Sequence, residues 1–164
     1  MSVLTCGEFD MHSLRTLLAR FGLRVTEVPA MQNIPGSFWG DSEAGLVSDE
    51  LLVRADTPVH SALHEACHYI CMAPARRTAL HTNAGGDTDE ENGVCYLQIV
   101  LAAHLPALGR ARLWSDMDAW GYSFRLGSAQ AWFEHDADDA RDWLITYALL
   151  TGTGVPTWHV RQRE

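Results

Sequence analysis

The chain has 164 residues, of which 47% are hydrophobic and 20% charged, a length and balance that favour one globular domain over a disordered chain. Its formal net charge of −9 argues against nucleic-acid binding, which needs a basic surface, and against binding to an anionic membrane. The first residues lack the basic and apolar regions of a signal peptide, and no segment has the roughly 18 consecutive apolar residues of a membrane-spanning helix.

The cysteines indicate a reducing environment. There are four of them, Cys6, Cys67, Cys71 and Cys95. Cys67 and Cys71 are four residues apart in a segment that we predict to be helical, which is a poor frame for a disulfide. We therefore predict four reduced thiols and a cytoplasmic protein.

The N-terminal part predicts a helix followed by a small sheet. Apolar residues at helical spacing predict an amphipathic helix over residues 9–22. The segment "LRVTEVP" predicts a short strand. The segments "IPGSFWG" and "AGLVSDELLVRAD" flank the turn-forming "GDSEAG" and predict strands of an antiparallel meander.

Two helices are predicted next. Asp56 or Thr57 is the expected N-cap of the first, with Pro58 in its first turn, and this helix should run to about Met72 and end before Pro74. The segment "ARRTALHTNAGGD" predicts a loop. The second helix begins within "DTDEENG" and continues to Pro106, and its apolar residues on most sides predict that it is buried.

The remaining residues predict two or three more helices over about 110–150 and a loose tail, "TGTGVPTWHVRQRE". Strands and helices are segregated along the chain rather than alternating, so we predict an α+β fold. In it, a small antiparallel or mixed sheet packs on the helix pair. We expect one domain over residues 1–164, with a core at about 34–105 that carries the most distinctive motif.

That motif is His64-Glu65-Ala66-Cys67-His68. Residues four apart lie on the same face of a helix, so His64 and His68 could both bind one Zn²⁺ through ring nitrogens. Zinc lowers the pKa of a water that it binds, and Glu65 is placed to accept the proton as general base. The alternative is a pair of partly exposed histidines that bind no metal.

A carboxylate from the next helix is the expected third ligand, since catalytic zinc sites commonly add one and leave a position for water. The segment "GGDTDEENGVCYLQ" offers Asp87, Asp89, Glu90 and Glu91. Acids at a helix N-terminus are also favoured by the helix dipole. Glu90 lies on the helix face of Val94, Leu97 and Leu101, and Glu91 lies on the face of Cys95, Gln98 and Ala102. The pattern alone does not decide which of the two glutamates is the third ligand.

The segments "SALHEACHYI" and "EENGVCYLQIVLA" resemble the zincin metallopeptidases of the gluzincin type, and "AGLVSDELLVRADTPVHSALHEACHYI" is most similar to the small ImmA/IrrE-like peptidase domains. The resemblance covers about residues 34–105. It implies a zincin-like fold, a bound Zn²⁺, His64 and His68 as ligands and Glu65 as general base. It also favours Glu91 as the third ligand, with Glu90 as the alternative. The family's usual Leu-Gly pair is Ala66-Cys67 here.

Other residues could also contribute to this site. Cys67 and Cys71 are expected to be small buried thiols rather than ligands. His60 could extend the metal-binding face, but a solvated position in the first helical turn is the simpler interpretation. Three residues could stabilise an oxyanion, although core packing is the usual role of such tyrosines: Tyr96, His104 and Tyr122.

Two further segments have simple interpretations. The acidic run "EHDADDARD" predicts a solvated helix face. The aromatic-rich "DMDAWGYSFRLGSAQAW" could line a substrate groove, although core packing explains it as well.

The leading hypothesis is a zinc-dependent metallopeptidase that acts on a protein or peptide substrate. The second is a non-catalytic zinc-binding scaffold that recruits a protein partner through its acidic surface. A third is a metal hydrolase acting on a non-peptide amide, because the water chemistry is the same.

Overall fold

The computed structural model describes residues 2–35, 43–80 and 85–164. Within them it has seven α-helices and one three-stranded mixed sheet. In chain order the elements are α1 (Met11–Ala19), β1 (Arg24–Glu27), β2 (Gly45–Val47), β3 (Glu50–Val53), α2 (Val59–Cys71), α3 (Pro74–Thr78), α4 (Thr88–Ala102), α5 (Gly109–Trp120), α6 (Ala129–His135) and α7 (Asp138–Thr146). The predicted α+β class is therefore confirmed.

The sheet has the order β1-β3-β2, with β3 in the centre. β2 and β3 form an antiparallel hairpin in which Leu46 pairs with Leu51. Both strands lie within the segment "AGLVSDELLVRAD", which was predicted as a single strand of the meander, and the chain turns between them at residues 48–49 rather than within "GDSEAG". β1, within the predicted strand "LRVTEVP", runs parallel to β3, with Val25 opposite Leu51, so the sheet is mixed, one of the two arrangements that were predicted. The residues between β1 and β3 are numerous enough for the crossover that a parallel pair needs. Of the strand predicted within "IPGSFWG", residues 36–40 lie outside the described residues.

α2 packs between the sheet and α4. Its apolar residues recur every three or four positions and are fully buried: Val59, Ala62, Leu63, Ala66 and Ile70. The predicted end of the helix is confirmed, since Met72 is its C-cap. Burial of this stripe explains why the helix forms here.

The start of α2 differs from the prediction. The N-cap is Pro58, and no side chain caps the helix. Thr57 Oγ1 instead accepts a hydrogen bond from the backbone N–H of Arg54 at 2.8 Å. The Asp56 carboxylate accepts two from the Arg54 guanidinium at 2.8 Å each. Both expected caps are therefore engaged by Arg54.

The segment after α2 also differs from the predicted loop, because it contains the short helix α3. Pro74 stands at its start, where the absent N–H costs no hydrogen bond. Residues 81–84 of this segment lie outside the described part. α4 begins where predicted and is buried along most of its length, but it ends at Ala102, a few residues before the predicted end at Pro106.

α4 and α7 approach each other closely at Gly93. A Cβ built on Gly93 would lie 2.8 Å from Trp143 Cε3 and 3.0 Å from Cζ3. We expect Gly93→Ala to lower the free energy of unfolding by about 1 kcal/mol or more. Overpacking a core costs about 1–3 kcal/mol, against the roughly 0.5–1 kcal/mol that Ala gains over Gly in a helix. Urea unfolding of metal-free protein measures this difference.

The exposed neighbour Asn92 on the same helix provides the control. Asn92→Ala should leave the free energy of unfolding within about 0.5 kcal/mol of wild type. A Gly93→Ala protein as stable as Asn92→Ala would contradict the close packing of α4 on α7.

The C-terminal residues were predicted to form a loose tail, and this was wrong. They contain no helix or strand, but they pack against the rest of the domain. The Trp158 ring lies 5.6 Å from that of Phe21, and the Arg20 guanidinium stacks over it at 3.4 Å. Arg161 is buried. Aromatic and cation–π contacts hold this segment in place without regular secondary structure.

Among the described helices, none has the length and apolar character needed to cross a membrane.

Candidate metal centre

Two histidines on α2 and one glutamate on α4 converge. His64 and His68 are one turn apart, and their ring centroids are 4.8 Å from each other. His64 Nε2 lies 2.9 Å from Glu91 Oε1, and His68 Nε2 lies 3.0 Å from Glu91 Oε2. Each imidazole thus faces a different oxygen of the same carboxylate.

The two adjacent glutamates of α4 point to different surroundings. The Glu91 carboxylate meets the two histidines. The Glu90 carboxylate is buried against the guanidinium of Arg76, with N–O distances of 2.7 and 2.9 Å. Consecutive helical residues are rotated by about 100°, so both side chains cannot face α2. The geometry therefore brings Glu91, and not Glu90, to the histidines.

The other acids at the start of α4 have simpler surroundings. The Asp87 side chain accepts a hydrogen bond from the backbone N–H of Glu90 at 2.9 Å and is the N-cap of the helix. Asp89 is exposed. Neither belongs to the group of His64, His68 and Glu91 that could hold a metal ion.

The donor set suits zinc. One ligand atom from each of the three residues lies within 4.8 Å of the others. Donors at about 2.0–2.1 Å from a tetrahedral zinc lie roughly 3.3–3.4 Å apart. The N–O distances of 2.9 and 3.0 Å would need only a slight widening to reach that value. Two imidazoles and one carboxylate also leave a fourth position open.

The Gln98 side chain orients His64. Its Nε2 donates to the backbone carbonyl of His60 at 2.8 Å, which turns its Oε1 toward His64 Nδ1 at 3.0 Å. Since Oε1 can only accept, His64 keeps a proton on Nδ1, which leaves Nε2, the nitrogen that faces Glu91, to give its lone pair to a metal once its own proton is displaced. That is the tautomer a metal ligand needs. Residue spacing alone does not predict this role, although Gln98 lies two turns after Glu91 on the same helix.

Replacement of Gln98 tests this orienting role. We expect Gln98→Leu to weaken zinc binding by about 10–100-fold, because loss of an outer-shell hydrogen bond to a ligand typically has that effect. Competition with a chromophoric chelator measures the affinity. Leu preserves the bulk of this fully buried side chain, so an unchanged affinity would contradict the orienting role.

Burial and hydrogen bonds together set the charges in the centre. Burial would raise the pKa of Glu91, but hydrogen bonds from His64 and His68 hold it well below its usual range. Burial opposes a charge on His64, yet its neighbours Tyr122, Cys95 and Glu91 raise its pKa well above the ordinary value. Without metal, His64 and Glu91 therefore form an ion pair, and a bound cation would replace the proton between them.

Glu65 lies beside the centre and lines a cleft of about 460 Å³. Burial raises its pKa, although His68 and His64 counteract this in part. The cleft is lined by Glu43, His60, Ser61, His64, Glu65, Glu91, Trp120, Gly121 and Tyr122. The motif's glutamate and two of the three possible metal ligands thus face the same opening.

His60 is not the solvated residue that was predicted, because only 1% of it is exposed. Its Nδ1 lies 3.2 Å from the Tyr122 hydroxyl, and the Trp120 ring packs against it at 5.2 Å. Its Nε2 has no hydrogen-bond partner within the described residues. Side chains about 60 residues later in the chain bury it, which helical periodicity cannot reveal.

Of the three residues considered as oxyanion donors, only Tyr122 lies at the cleft. Its ring is 5.6 Å from that of His64, and burial raises its pKa to about 12. It is therefore protonated at neutral pH and can donate a hydrogen bond. Tyr96 stacks on Phe133 at 4.5 Å, and His104 packs against Trp158 at 5.0 Å.

The four cysteines are free and buried, and the prediction of small buried thiols holds for Cys67 and Cys71. Burial raises the pKa of both well above the ordinary value. They are therefore protonated at neutral pH, which disfavours them as metal ligands.

The aromatic segment 116–132 has two roles in the structure. Trp120 and Tyr122 line the metal-centre cleft. Phe124 and Trp132 stack at 5.0 Å and border a separate cavity of about 360 Å³. The acidic run at 134–142 is mostly exposed, as predicted, although Ala137 and Ala140 are buried.

Comparison with known proteins gave no relative: no protein-family model matches the chain, and no curated protein or solved structure is significantly similar to it.

Proposed function

We propose that the chain is a zinc-dependent metallopeptidase with a zincin-like core of minimal gluzincin type. The observation that carries this proposal is the convergence of His64 and His68 on the two carboxylate oxygens of Glu91, beside Glu65 in an open cleft. His64, His68 and Glu91 would hold the metal. The substrate class is a peptide or protein.

A zinc ion held there would supply Lewis acidity, which makes water a better nucleophile and a carbonyl a better electrophile. Glu65 would accept the proton of the attacking water and pass it to the leaving amine. Its pKa, raised by burial, favours both steps, because an effective general acid–base has a pKa near the working pH.

Tyr122 would assist by donating a hydrogen bond to the oxygen of the reacting carbonyl. It lines the cleft next to His64, and its hydroxyl is held near His60 Nδ1. A protonated phenol aimed at an oxygen that gains negative charge stabilises the transition state. His60 would therefore act by holding Tyr122 in place.

The openness of the centre favours catalysis over a non-catalytic scaffold. The Glu91 side chain is 47% exposed and lines the cleft, although the two histidines are largely buried. Structural zinc sites are usually closed by four protein ligands, whereas catalytic sites keep one position for water or substrate. The three residues that converge here leave such a position on the cleft side.

Cleavage of a peptide mixture tests the proposal. Tag-free protein with added zinc should cut peptides, lose this activity when a chelator removes the metal, and regain it when zinc is restored. His64→Ala protein is the control for a contaminating peptidase. Zinc-loaded protein that cuts no peptide but hydrolyses small non-peptide amides would move the proposal to that substrate class. Loaded protein with neither activity would favour the scaffold.

A further inference from the structure

Arg161 contacts both helices that carry the candidate ligands. Its backbone N–H donates to the carbonyl of Ile70 at 2.8 Å, and its Nη1 donates to the carbonyl of Cys71 at 3.4 Å. Both acceptors are at the end of α2, shortly after His68. The same Nη1 lies 3.6 Å from Glu90 Oε1, and Glu90 directly precedes Glu91 on α4. We call these contacts the Arg161 bridge.

Several contacts hold the Arg161 bridge in place. The Arg161 side chain is 9% exposed, and its guanidinium stacks over the Tyr147 ring at 3.8 Å. Its backbone carbonyl accepts a hydrogen bond from Arg77 Nη2 at 2.9 Å. Arg77 also donates to the carbonyls of Tyr69 and Met72 at 3.0 and 2.8 Å. The end of α2 is thus tied twice to the C-terminal segment.

The α4 end of the bridge is equally constrained. The Glu90 carboxylate is 3% exposed and faces Arg76 and Arg161. A buried carboxylate needs such cations, because an uncompensated charge inside a protein is strongly destabilising. Arg161 therefore contacts both the first turn of α4 and the end of α2. Neither arginine lines the cleft.

We propose that Arg161 is a positioning residue for the metal centre, which it serves by holding the first turn of α4, and so Glu91, at a fixed distance from His64 and His68. This inference rests on the proposed zinc site. It follows from the strictness of zinc coordination, since functional groups must be held within about 0.5 Å of their working geometry. Without the bridge, the first turn of α4, which carries Glu91, would lose a contact to the end of α2.

Zinc affinity of four variants, measured by competition with a chromophoric chelator, tests the proposal. We expect Arg161→Met to weaken zinc binding by about tenfold. This is the lower end of the roughly 10–100-fold loss that follows removal of a residue that supports a metal ligand. Arg161→Lys, which keeps the charge but loses the planar fork, should lie between Met and wild type. Glu90→Gln, which removes the other end of the bridge, should resemble Arg161→Met.

Arg54→Met is the matched control. The Arg54 side chain is also largely buried, at 13% exposure, and it makes several hydrogen bonds, but they go to Asp56 and Gln32. If Arg161→Met weakened zinc binding only because it destabilised the domain, Arg54→Met should weaken zinc binding to the same extent. We therefore expect zinc affinity to be unchanged in Arg54→Met. Circular dichroism at the temperature of the titration shows which proteins are folded.

The outcomes separate the two proposals. Wild-type zinc affinity in folded Arg161→Met would overturn the role of Arg161 and leave the zinc site intact. If Arg161→Met does not fold, wild-type affinity in both Arg161→Lys and Glu90→Gln would overturn it. An equal loss of affinity in Arg54→Met would also overturn it. A wild-type protein that takes up no zinc would overturn the proposed function together with this inference.

Discussion

Replacing Glu65 with Gln is expected to abolish most peptide hydrolysis while leaving zinc binding nearly unchanged. The amide has the same shape but cannot accept a proton from water or return it to the leaving amine. General acid–base catalysis contributes about 10²–10⁴-fold to a rate, so kcat/KM should fall by about that factor. Glu65 is not among the residues that could hold the metal, so one zinc ion per chain should remain bound.

The control for this experiment lies in the same cleft. Glu43 also lines it but belongs neither to the metal-binding group nor to the motif, so Glu43→Gln should change kcat/KM by no more than about threefold. A Glu65→Gln protein that keeps its zinc and hydrolyses peptides at the wild-type rate would eliminate Glu65 as the general base.

The second large effect is expected at Glu91. Glu91→Gln removes the negative charge and leaves only a weak amide oxygen, so zinc affinity should fall by more than the roughly 10–100-fold typical of an outer-shell loss. Glu90→Gln should weaken zinc binding far less, by only the roughly tenfold expected for loss of the Arg161 bridge, because Glu90 faces Arg76 and Arg161 rather than the histidines. Chelator competition on both proteins measures the difference.

The two variants also differ in their expected effect on folding. Gln at position 90 leaves Arg76 without its buried carboxylate partner, so we expect Glu90→Gln to unfold at a lower urea concentration. Gln at position 91 removes only the half-exposed partner of the histidines and should destabilise the metal-free protein less. A larger loss of zinc affinity in Glu90→Gln than in Glu91→Gln would mean that the ligand assignment is wrong.

The elements around the centre could be predicted because local patterns specify them. The apolar stripe of α2 and the four-residue spacing of His64 and His68 depend only on helix geometry. The same is true of α4, whose apolar character indicated burial. These features are properties of one segment at a time, so one sequence is enough to find them.

Local sequence patterns could not decide whether Glu90 or Glu91 faces the two histidines. It depends on the rotation of α4 about its axis, which is set by what packs around it. Gly93 lies against Trp143, and Glu90 pairs with Arg161 of the C-terminal segment. Both partners are distant in sequence. The resemblance of "EENGVCYLQIVLA" to gluzincin second helices also favoured Glu91. The physical reason that Glu91 faces the histidines lies in the contacts of Gly93 and Glu90.

His60 and the C-terminal segment were misjudged for a related reason. Helical spacing placed His60 in the first turn of α2, where a side chain is usually exposed to solvent. In the structure, Trp120 and Tyr122 cover it. The C-terminal residues have no regular periodicity, yet Trp158 and Arg161 pack on the domain. Single aromatic and arginine side chains can anchor irregular chain, and their partners are not visible from local sequence.

Elemental analysis of tag-free protein, purified without a metal affinity step, tests the central claim most directly. Wild-type protein should contain close to one zinc ion per chain, or take it up when zinc is added, and His68→Ala protein should contain almost none. Folded wild-type protein that neither contains zinc nor binds it would contradict the account. His64, His68 and Glu91 would then be an ion-paired cluster with no metal.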